Sequence, residues 1–357
     1  MTIYPHLLGS YSPSIGAGGA ASVRSLQRAK KLSVVVPCYN EAESIDELVR
    51  RLAAACEQCV GDDYELILVN DGSSDTTWAE ILRLSATHRQ IIGIDLAHNH
   101  GHQLALTAGL SVTRGERILI IDADLQDPPE LLPELMAQLD SGADVAYGQR
   151  LRRDGESWFK KASAAFFYRL LQRLAEAPIP ADTGDFRLMK REVVDVLVAM
   201  PEQHRFIRGM VAWIGFRQVP VLYQRDPRLA GTTKYPLRKM ISFAIDAITG
   251  FSAAPLRLSL YFSLWSVFTA FLLSLYAIWH WFTGDAVPGW TSIAIIVLAF
   301  GSMQMFCLGI MGEYLGRLYT QSKQRPLFVI RSIHQNESDK AAIGEIHEFS
   351  RSNQPHL

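Results

Sequence analysis

Three carboxylates follow directly on an apolar run in the segment ILIIDADLQDPP, which spans residues 118–129. They belong to Asp122, Asp124 and Asp127. Carboxylates gathered at the end of a buried strand repel one another unless a protein cation, a helix N-terminus or a metal ion compensates them. The segment therefore predicts a positive partner, whose nature depends on the elements around it.

Short apolar runs alternate with helical segments from residue 31 onwards. The runs that read as buried strands are 32–37, 64–70, 91–96, 116–122 and 143–148. The segments with helical spacing between them are 42–56, 76–88, 102–113 and 128–140. This alternation predicts βαβ units, and hence an α/β fold with a mostly parallel sheet covered on both faces. Ligands of such sheets bind beyond the carboxyl ends of the strands.

Three of the predicted strands run into acidic or amide-rich loops at that edge. The loops are PCYNE (37–41), NDGSSD (70–75) and DADLQD (122–127). Capping of the following helix is an alternative explanation for Asp75, but it does not explain Asp71 or the pair Asp122 and Asp124. A negative cluster at a ligand-binding edge predicts Mg²⁺ or Mn²⁺, which takes one or two carboxylates and completes its shell with phosphate oxygens and water.

Two long segments contain no Asp, Glu, Lys or Arg, namely 258–282 and 290–311. Each exceeds the ~20 residues that cross a bilayer as a helix. They predict a membrane hairpin, with two buried core helices of a soluble domain as the alternative. Basic residues flank the pair on both outer sides: Arg238, Lys239, Arg257, Arg317, Lys323 and Arg325. Since the short connection has none, we expect both termini in the cytoplasm.

Composition excludes some classes of protein. With 35 Lys and Arg against 36 Asp and Glu, the 357-residue chain lacks the basic excess that nucleic-acid binding requires. Residues 1–30 show no signal-peptide core and are predicted to be disordered. Cys56 and Cys59 form a C-x-x-C pair that suggests zinc or redox chemistry, but no second Cys or His pair stands at metal-ligand spacing, so we interpret it as incidental.

Six motifs occur in a characteristic order: VVVPCYNE, LILVNDGSSD, HNHGHQLALTAGL, ILIIDADLQDPPE, TGDFRLM and RFIRGMVAWIGF. In this order they resemble the family 2 glycosyltransferases with a GT-A fold. The resemblance is strongest to the polyprenyl-phosphate sugar transferases, which include bactoprenol glucosyltransferases, dolichol-phosphate mannose synthases and the aminoarabinose transferase. It covers roughly residues 31–330, including the hairpin.

The resemblance implies roles for individual residues. The positions that hold the nucleotide match Pro37, Tyr39 and Glu41 for base and ribose, and Asp71 for uracil or guanine. The metal positions match Asp122 and Asp124, with Gln126 as a further ligand. The metal bridges the diphosphate of the nucleotide sugar and offsets charge on the leaving nucleotide.

Asp185, in DTGDFRLM, matches the position usually named the catalytic base. A lipid monophosphate has a second pKa near ~6 and is largely ionised at neutral pH, so it needs positioning more than deprotonation. We therefore expect Asp185 to orient the acceptor or a neighbouring cation, with proton removal secondary. A helix cap or turn aspartate is the alternative.

The acceptor of such an enzyme is an anion on a lipid tail, so its site needs cations near the bilayer. The candidates are Arg150, Lys161, Arg228 and Lys234. The last two are implied by the family's R-x-x-G-x-[ST]-K-Y pattern; ordinary solvated charges are the alternative. The segments 157–175 and 235–251 mix aromatic, apolar and basic residues, and we expect them to lie in the membrane interface rather than on the domain core.

The resemblance implies an inverting, metal-dependent transferase that moves a hexose, glucose from UDP-glucose by default, to undecaprenyl phosphate. GDP-mannose and UDP-aminoarabinose are alternative donors. A processive polysaccharide synthase is disfavoured because Q-x-x-R-W is missing, and a non-catalytic adaptor or flippase component because the carboxylates are present. The expected parts are a catalytic domain (31–234), an interfacial helix (235–255), the hairpin (256–312) and a cytoplasmic tail (313–357). A strand over 325–330 is expected to return to the domain, and relatives suggest a homo-oligomer.

Overall fold

The computed structural model describes residues 30–151, 183–224, 254–283 and 289–336. Within these ranges the strands are β1 (Leu32–Cys38), β2 (Tyr64–Asn70), β3 (Ile91–Leu96), β4 (Arg117–Ile120), β5 (Val145–Arg150), β6 (Thr183–Lys190), β7 (Gln218–Tyr223) and β8 (Ile330–His334). The α-helices are α1 (Ile45–Val60), α2 (Thr77–Thr87), α3 (His102–Val112), α4 (Leu132–Asp140), α5 (Arg191–Ala199), α6 (Ile207–Ile214), α7 (Ala254–Thr283) and α8 (Trp290–Ser322).

All the described strands belong to one sheet, in the order β7-β5-β6-β4-β1-β2-β3-β8. The neighbours β1–β2, β1–β4, β2–β3 and β5–β7 run parallel. The neighbours β3–β8, β4–β6 and β5–β6 run antiparallel. The sheet is thus mostly parallel, as predicted, with an antiparallel strand inserted beside β4 and another added at the β3 edge.

The sheet is covered on both faces because its strands are apolar on both sides. In β1 the side chains of Leu32, Val34 and Val36 pack with α1, α2 and α4, while Val35 packs on the opposite face with α3, α5 and α6. Successive strand residues point to opposite faces, so a continuous apolar run supplies two cores at once. The result is a three-layer α/β/α domain.

The five strands predicted from the sequence are confirmed, with ends shifted by up to two residues. Two further strands, β6 and β7, were not predicted. β6 places the charged Asp185 and Arg187 inside the sheet, and β7 contains Pro220, which suits only an edge strand such as β7. The alternative of a helix cap or turn at Asp185 is therefore wrong, since the residue lies within β6.

α7 and α8 are long and apolar enough to cross a membrane, over Pro255–Tyr276 and Ile295–Ser322. Their apolar side chains are exposed rather than buried, including Val267 at 68% and Leu298 at 69%. Exposed apolar surface of this extent is typical of a membrane-facing helix pair, so the alternative of two buried core helices is wrong. The two helices contact each other through a T-shaped pair of aromatic rings, Phe262 of α7 and Phe306 of α8.

α8 continues to Ser322, past the predicted hairpin end at residue 312. Its last turn contacts the loop between α5 and α6: Gln321 Nε2 donates to Pro201 O (2.7 Å), the Gln203 N–H donates to Gln321 Oε1 (3.0 Å), and Gln203 Nε2 donates to Arg325 O (2.9 Å). We call these contacts of Gln203 and Gln321 the glutamine clasp. It joins α8 to the α/β/α domain.

The chain then returns to the sheet, as predicted, but the strand spans Ile330–His334 rather than 325–330. It pairs antiparallel with β3, and the Ala97 N–H donates to Val329 O at 2.9 Å. The predicted segments 157–175 and 235–251 lie outside the described residues, as do residues 1–29 and 337–357.

Candidate active site

The site lies where the carboxyl ends of the central strands meet the start of β6. β4 and β6 are antiparallel, with Ile120 opposite Arg187. Continuing this register past the end of β4 brings Asp122 opposite Asp185, although 63 positions separate them in the chain. Strand topology therefore joins the aspartate after β4 to the aspartate of the TGDFRLM motif.

The three carboxylates of the DADLQD loop separate into two groups. Asp122 and Asp124 are half-buried at the edge of the sheet. Asp127 is fully buried, accepts a hydrogen bond from the Tyr223 hydroxyl, and lies 3.7 Å from Arg150 Nη2. Asp127 is thus compensated by a protein cation and a phenol, whereas the first two carboxylates face the site.

Asp122 carries an oxygen that suits a cation. Its Oδ1 is buried and accepts no hydrogen bond from any described residue. Burial, reinforced by Asp185, Asp127 and Asp124 and opposed by His102, raises the pKa of Asp122 to about 6. A buried oxygen without a donor, on a carboxyl that resists ionisation, is stabilised by a nearby positive charge.

The described residues contain no group of three or more His, Cys, Asp or Glu side chains arranged for a metal. A divalent ion here would be held by Asp122 and Asp124 and would take the rest of its shell from substrate phosphate and water, the usual mode of Mg²⁺. Gln126 is half-buried next to the pair, and its backbone N–H donates to Asp124 Oδ1 at 3.2 Å. These residues fit a bound Mg²⁺ or Mn²⁺.

Asp185 is surrounded by donors, and only 2% of its side chain is exposed. Arg208 donates through Nε to Oδ1 (2.8 Å) and through Nη2 to Oδ2 (3.3 Å). Gln103 Nε2 donates to Oδ2 at 3.0 Å, and His102 Nε2 lies 3.1 Å from the same oxygen. Burial alone would raise the pKa of Asp185, but Arg208 and His102 outweigh it and hold that pKa well below its usual value.

The positive groups around Asp185 thus hold its carboxyl in the ionised form, as an acceptor for the guanidinium of Arg208 and the ring N–H of His102. Arg208 lies in the first turn of α6, and 26% of its side chain is exposed. Gln103 ties that turn to α3, since its Oε1 accepts the Ile207 N–H at 2.8 Å. The guanidinium of Arg208 is thus held by Asp185 on β6, its helical turn is held by Gln103 on α3, and the side chain still reaches solvent.

The predicted nucleotide-binding residues lie at the adjacent carboxyl ends of β1 and β2. Pro37 is the penultimate residue of β1, Tyr39 follows the strand with half of its surface exposed, and Glu41 is half-buried. The two loops are joined, because Asn40 Oδ1 accepts the Ser74 N–H at 2.9 Å. The structure therefore brings these residues together at one edge.

Asp71 is buried, and both of its oxygens are used within the protein. Oδ1 accepts the His100 N–H (2.7 Å) and Oδ2 accepts the Gly101 N–H (2.9 Å). The neighbouring Gly72 has φ +64°, and a Cβ there would lie 2.5 Å from the backbone N of Asn99. Asp71 thus holds the β3–α3 loop in place, and its predicted contact with the base stays a prediction.

Asp75 Oδ1 accepts the Thr77 N–H at 3.0 Å, so it satisfies a donor at the start of α2 from the position before the N-cap residue, Thr76, whose own side chain makes no capping hydrogen bond. Two non-glycine residues at the site have left-handed backbones, Asn40 and Leu125, each with φ 56°. Backbones of this kind cost energy and cluster at functional sites. Both lie in loops that carry predicted site residues.

Of the four predicted lipid-phosphate cations, only Arg150 falls in the described residues. Its Nε donates to the Tyr223 hydroxyl at 3.3 Å, and its guanidinium faces Asp127. The carboxylate of Asp127 holds the Arg150 side chain beside the site, and 20% of that side chain remains exposed to solvent. Lys161, Arg228 and Lys234 lie outside the described residues.

Sequence reasoning singled out His102 only as one of three dense histidines, either at the diphosphate or sugar or at a helix start on the surface, and it did not connect His102, Gln103 or Arg208 with Asp185. The signal for them was present: His102 and Gln103 open a helix that is otherwise buried from Ala105 to Leu110, and Arg208 is the single charge in the apolar helix α6. Arg187, also missed, is buried in β6 with its Nε unpartnered among the described residues, and burial lowers its pKa to about 10.

Comparison with known proteins gives matches to two family descriptions. "Glycosyl transferase family 2" matches residues 33–198, and "GtrB C-terminal hairpin" matches residues 254–318. The first match covers β1 to α5 and includes Asp71, Asp122, Asp124 and Asp185. The second covers α7 and most of α8.

Curated relatives match over most of their length. "Uncharacterized glycosyltransferase YkcC" of Bacillus subtilis is 44% identical over 88% of this chain and 98% of its own. "Bactoprenol glucosyl transferase" of Shigella phage SfX is 35% identical over 85% of this chain and 99% of its own. Among solved structures, a mannosyltransferase of Pyrobaculum calidifontis in complex with GDP-Man and Mn²⁺ is 18% identical over 81% of this chain and 88% of its own, with a TM-score of 0.40.

Proposed function

Because this chain belongs to glycosyltransferase family 2, with a GT-A domain followed by a two-helix hairpin, we propose that it transfers a hexose from a nucleotide diphosphate sugar to a polyprenyl phosphate. Relatives named bactoprenol glucosyl transferase, 34–35% identical over nearly their whole length, support this acceptor. They favour undecaprenyl phosphate as the lipid and UDP-glucose as the donor.

The observation that supports the proposal is that two carboxylates, of Asp122 and Asp185, lie opposite each other in the site and differ in their hydrogen-bond donors. Asp122 has a buried oxygen without a donor, while Asp185, opposite it, is saturated with donors. The first suits a cation on the donor diphosphate. The second holds Arg208 and His102 as positive groups for the acceptor phosphate.

Asp122 and Asp124, with Gln126 beside them, would hold Mg²⁺ or Mn²⁺. When bound, the ion neutralises the diphosphate and offsets the charge that develops on the leaving nucleotide. Pro37, Tyr39 and Glu41 would line the base and ribose, with Asp71 below them. Burial of Asp122 keeps this electrostatic effect strong, because water screens buried charges less than exposed ones.

The acceptor phosphate needs no base in this proposal. Its second pKa is about 6, so at neutral pH its oxygen is already an anion. Arg208, held by Asp185, orients that anion towards the anomeric carbon. Attack in line with departure of the nucleotide forms the new C–O bond as the old one breaks, which inverts the configuration.

In this proposal the acceptor arrives from the bilayer that the hairpin would span. We propose that the catalytic domain (31–234), an interfacial helix (235–255) and the tail (313–357) lie on the cytoplasmic side of the inner membrane, with the spans in 256–312. Arg150, Lys161, Arg228 and Lys234 would draw the lipid phosphate to the site. A homo-oligomer is compatible with this arrangement.

The test is transfer of radiolabelled sugar to undecaprenyl phosphate by the detergent-solubilised full chain with Mg²⁺ or Mn²⁺. UDP-glucose, UDP-galactose, UDP-N-acetylglucosamine, UDP-aminoarabinose and GDP-mannose are supplied in parallel, with Asp124→Ala as the inactive control. We expect one donor to label the lipid, the label to be lost in the control, and the product anomer to be opposite to the donor's. Nucleotide binding without transfer from any donor would contradict the proposal.

A further inference from the structure

His102 lies between the two carboxylates of the site. Its Nε2 is 3.1 Å from Asp185 Oδ2 and 3.5 Å from Asp122 Oδ1. Since ionised carboxylates only accept hydrogen bonds, the nitrogen between them carries a proton. The imidazole therefore presents one N–H to both acidic groups, and 42% of its side chain remains exposed.

The position of this imidazole is fixed by the backbone before it. His102 is the first residue of α3, and it follows directly on the two N–H groups, of His100 and Gly101, that Asp71 binds. Gln103, the next residue, is anchored to Asp185 and to the Ile207 N–H. The residues on both sides of His102 in the chain are thus held by hydrogen bonds, and these fix the position of its ring in addition to the contacts of the ring itself.

The two contacts of His102 are unequal. The distance to Asp185 is that of a hydrogen bond, whereas 3.5 Å to Asp122 is longer than a good one. Asp122 Oδ1 is accordingly buried and accepts no hydrogen bond from the described residues. The imidazole stands in front of this oxygen and compensates it only partly.

We propose that His102 is a positioning residue that stands in for the divalent cation at Asp122, and that the arriving cation displaces its N–H fully to Asp185. The inference rests on the proposed metal-dependent transfer. In the ion-free protein the N–H partly compensates Asp122. In the protein with the cation bound, the His102 N–H donates to Asp185 alone. It thereby helps to fix Asp185 and Arg208, which face the acceptor phosphate.

Removal of His102 should therefore have two effects of opposite sign. Cation binding should become tighter, because the N–H that competes for Asp122 is gone. Transfer should become slower, because Asp185 loses a donor and its remaining cation, Arg208, is less well fixed. A residue with a merely structural role would weaken both properties together.

The test is titration of the detergent-solubilised full chain with Mn²⁺, followed by electron paramagnetic resonance of the free ion, in the presence of UDP and in parallel of GDP. The variants are His102→Ala, His102→Gln and the control His88→Gln, at an exposed histidine that follows α2. We expect His102→Ala to lower the Kd for Mn²⁺ about three- to tenfold, as the loss of one competing hydrogen bond implies. His102→Gln, which retains an N–H, should lie between His102→Ala and the wild type, and His88→Gln should match the wild type.

Turnover of the same variants is measured under saturating Mn²⁺, and thermal unfolding confirms that they are folded. We expect kcat to fall at least about tenfold in His102→Ala and less in His102→Gln. An unchanged or raised Kd for Mn²⁺ in both His102 variants would overturn the inference, as would a wild type that binds no Mn²⁺. Intact Mn²⁺ binding with the predicted change in Kd, but no transfer by the wild type, would overturn the proposed function alone.

Discussion

Replacement of Asp185 by asparagine distinguishes an anchor from a base. The substitution keeps the size of the side chain and removes its charge. Asp185 Oδ1 accepts from Arg208, while Oδ2 accepts from Arg208, His102 and Gln103. The amide of asparagine offers one acceptor oxygen, so the donors around the second oxygen lose their partner.

The expected loss follows from those contacts. A hydrogen bond to a charged group contributes about 1.5–3 kcal/mol and a neutral one about 1 kcal/mol. At Oδ2 we count the contact of His102 as charged and that of Gln103 as neutral, and leave out the long 3.3 Å contact of Arg208 Nη2; their loss costs about 2.5–4 kcal/mol of positioning. If that positioning is fully expressed in the transition state, kcat falls about 10²- to 10³-fold.

The assay is the pH dependence of kcat under saturating Mn²⁺, so that Asp122 does not titrate in the range measured. If Asp185 is an anchor, the wild type already requires the acceptor dianion, and its rate falls below about pH 6 as the lipid phosphate takes up a proton. Asp185→Asn should show the same profile, scaled down. Asp62→Asn, the same change in an exposed ion pair with Arg89, is the control and should match the wild type.

A different pair of pH profiles of kcat, in the wild type and in Asp185→Asn, would refute the role of Asp185 as an anchor. If Asp185 were the base, the wild type would use the monoanion and keep its rate below pH 6, and the fall near the phosphate pKa of about 6 would appear only in the variant. A kcat within twofold of the wild type in Asp185→Asn would equally contradict the donor network.

Three further predictions concern other parts of the molecule. Since the pKa of Asp122 is about 6 and its ionised form binds the cation, Mn²⁺ affinity should fall as pH drops through 6, and equal affinity on both sides of pH 6 would contradict this. Glu65→Gln should lower the free energy of unfolding, measured in urea with detergent, by about 3 kcal/mol without changing kcat, because buried Glu65 holds Arg114 at 2.8 Å on the far edge of the sheet. Gln321→Ala breaks two hydrogen bonds of the glutamine clasp and should raise the KM for the lipid about five- to thirtyfold at nearly constant kcat. An unchanged KM would show that the clasp does not position the domain relative to α8.

The sequence predicted the elements whose apolar pattern is unbroken. β1 and β2 are buried over their whole length, and the two spans contain no charge, so both patterns stand out from a single chain. β6 was missed because Asp185 and Arg187 interrupt its pattern, and β7 because of Pro220. A charged strand inside a sheet is explained only by its partners, which lie far away in the chain.

The candidate site divides in the same way. Asp122 and Asp124 could be found because they follow a strand, and Asp185 because it belongs to a motif. The donors that decide the role of Asp185 lie 23 residues away at Arg208 and 83 residues away at His102. No local pattern connects these positions, and only the register of β4 with β6 and the docking of α3 and α6 bring them together.

The split among the acidic residues of DADLQD also required the fold. The sequence places Asp127 next to Asp122 and Asp124 as an equal third carboxylate. The structure turns it into the core, where it meets Tyr223 and Arg150 from strands that are distant in the chain. Burial and partner geometry, rather than spacing, separate the structural aspartate from the two at the site.

We propose that the site at Asp122, Asp124 and Asp185 joins a hexose to a lipid phosphate. It is tested most directly by mass spectrometry of undecaprenyl phosphate after incubation with UDP-glucose and the full chain, first with EDTA and then with Mn²⁺ restored. We expect a lipid heavier by one hexosyl unit, formed with Mn²⁺, absent with EDTA, and absent at any Mn²⁺ concentration with Asp124→Ala. The same product formed equally in EDTA, or by the Asp124→Ala variant, would contradict it.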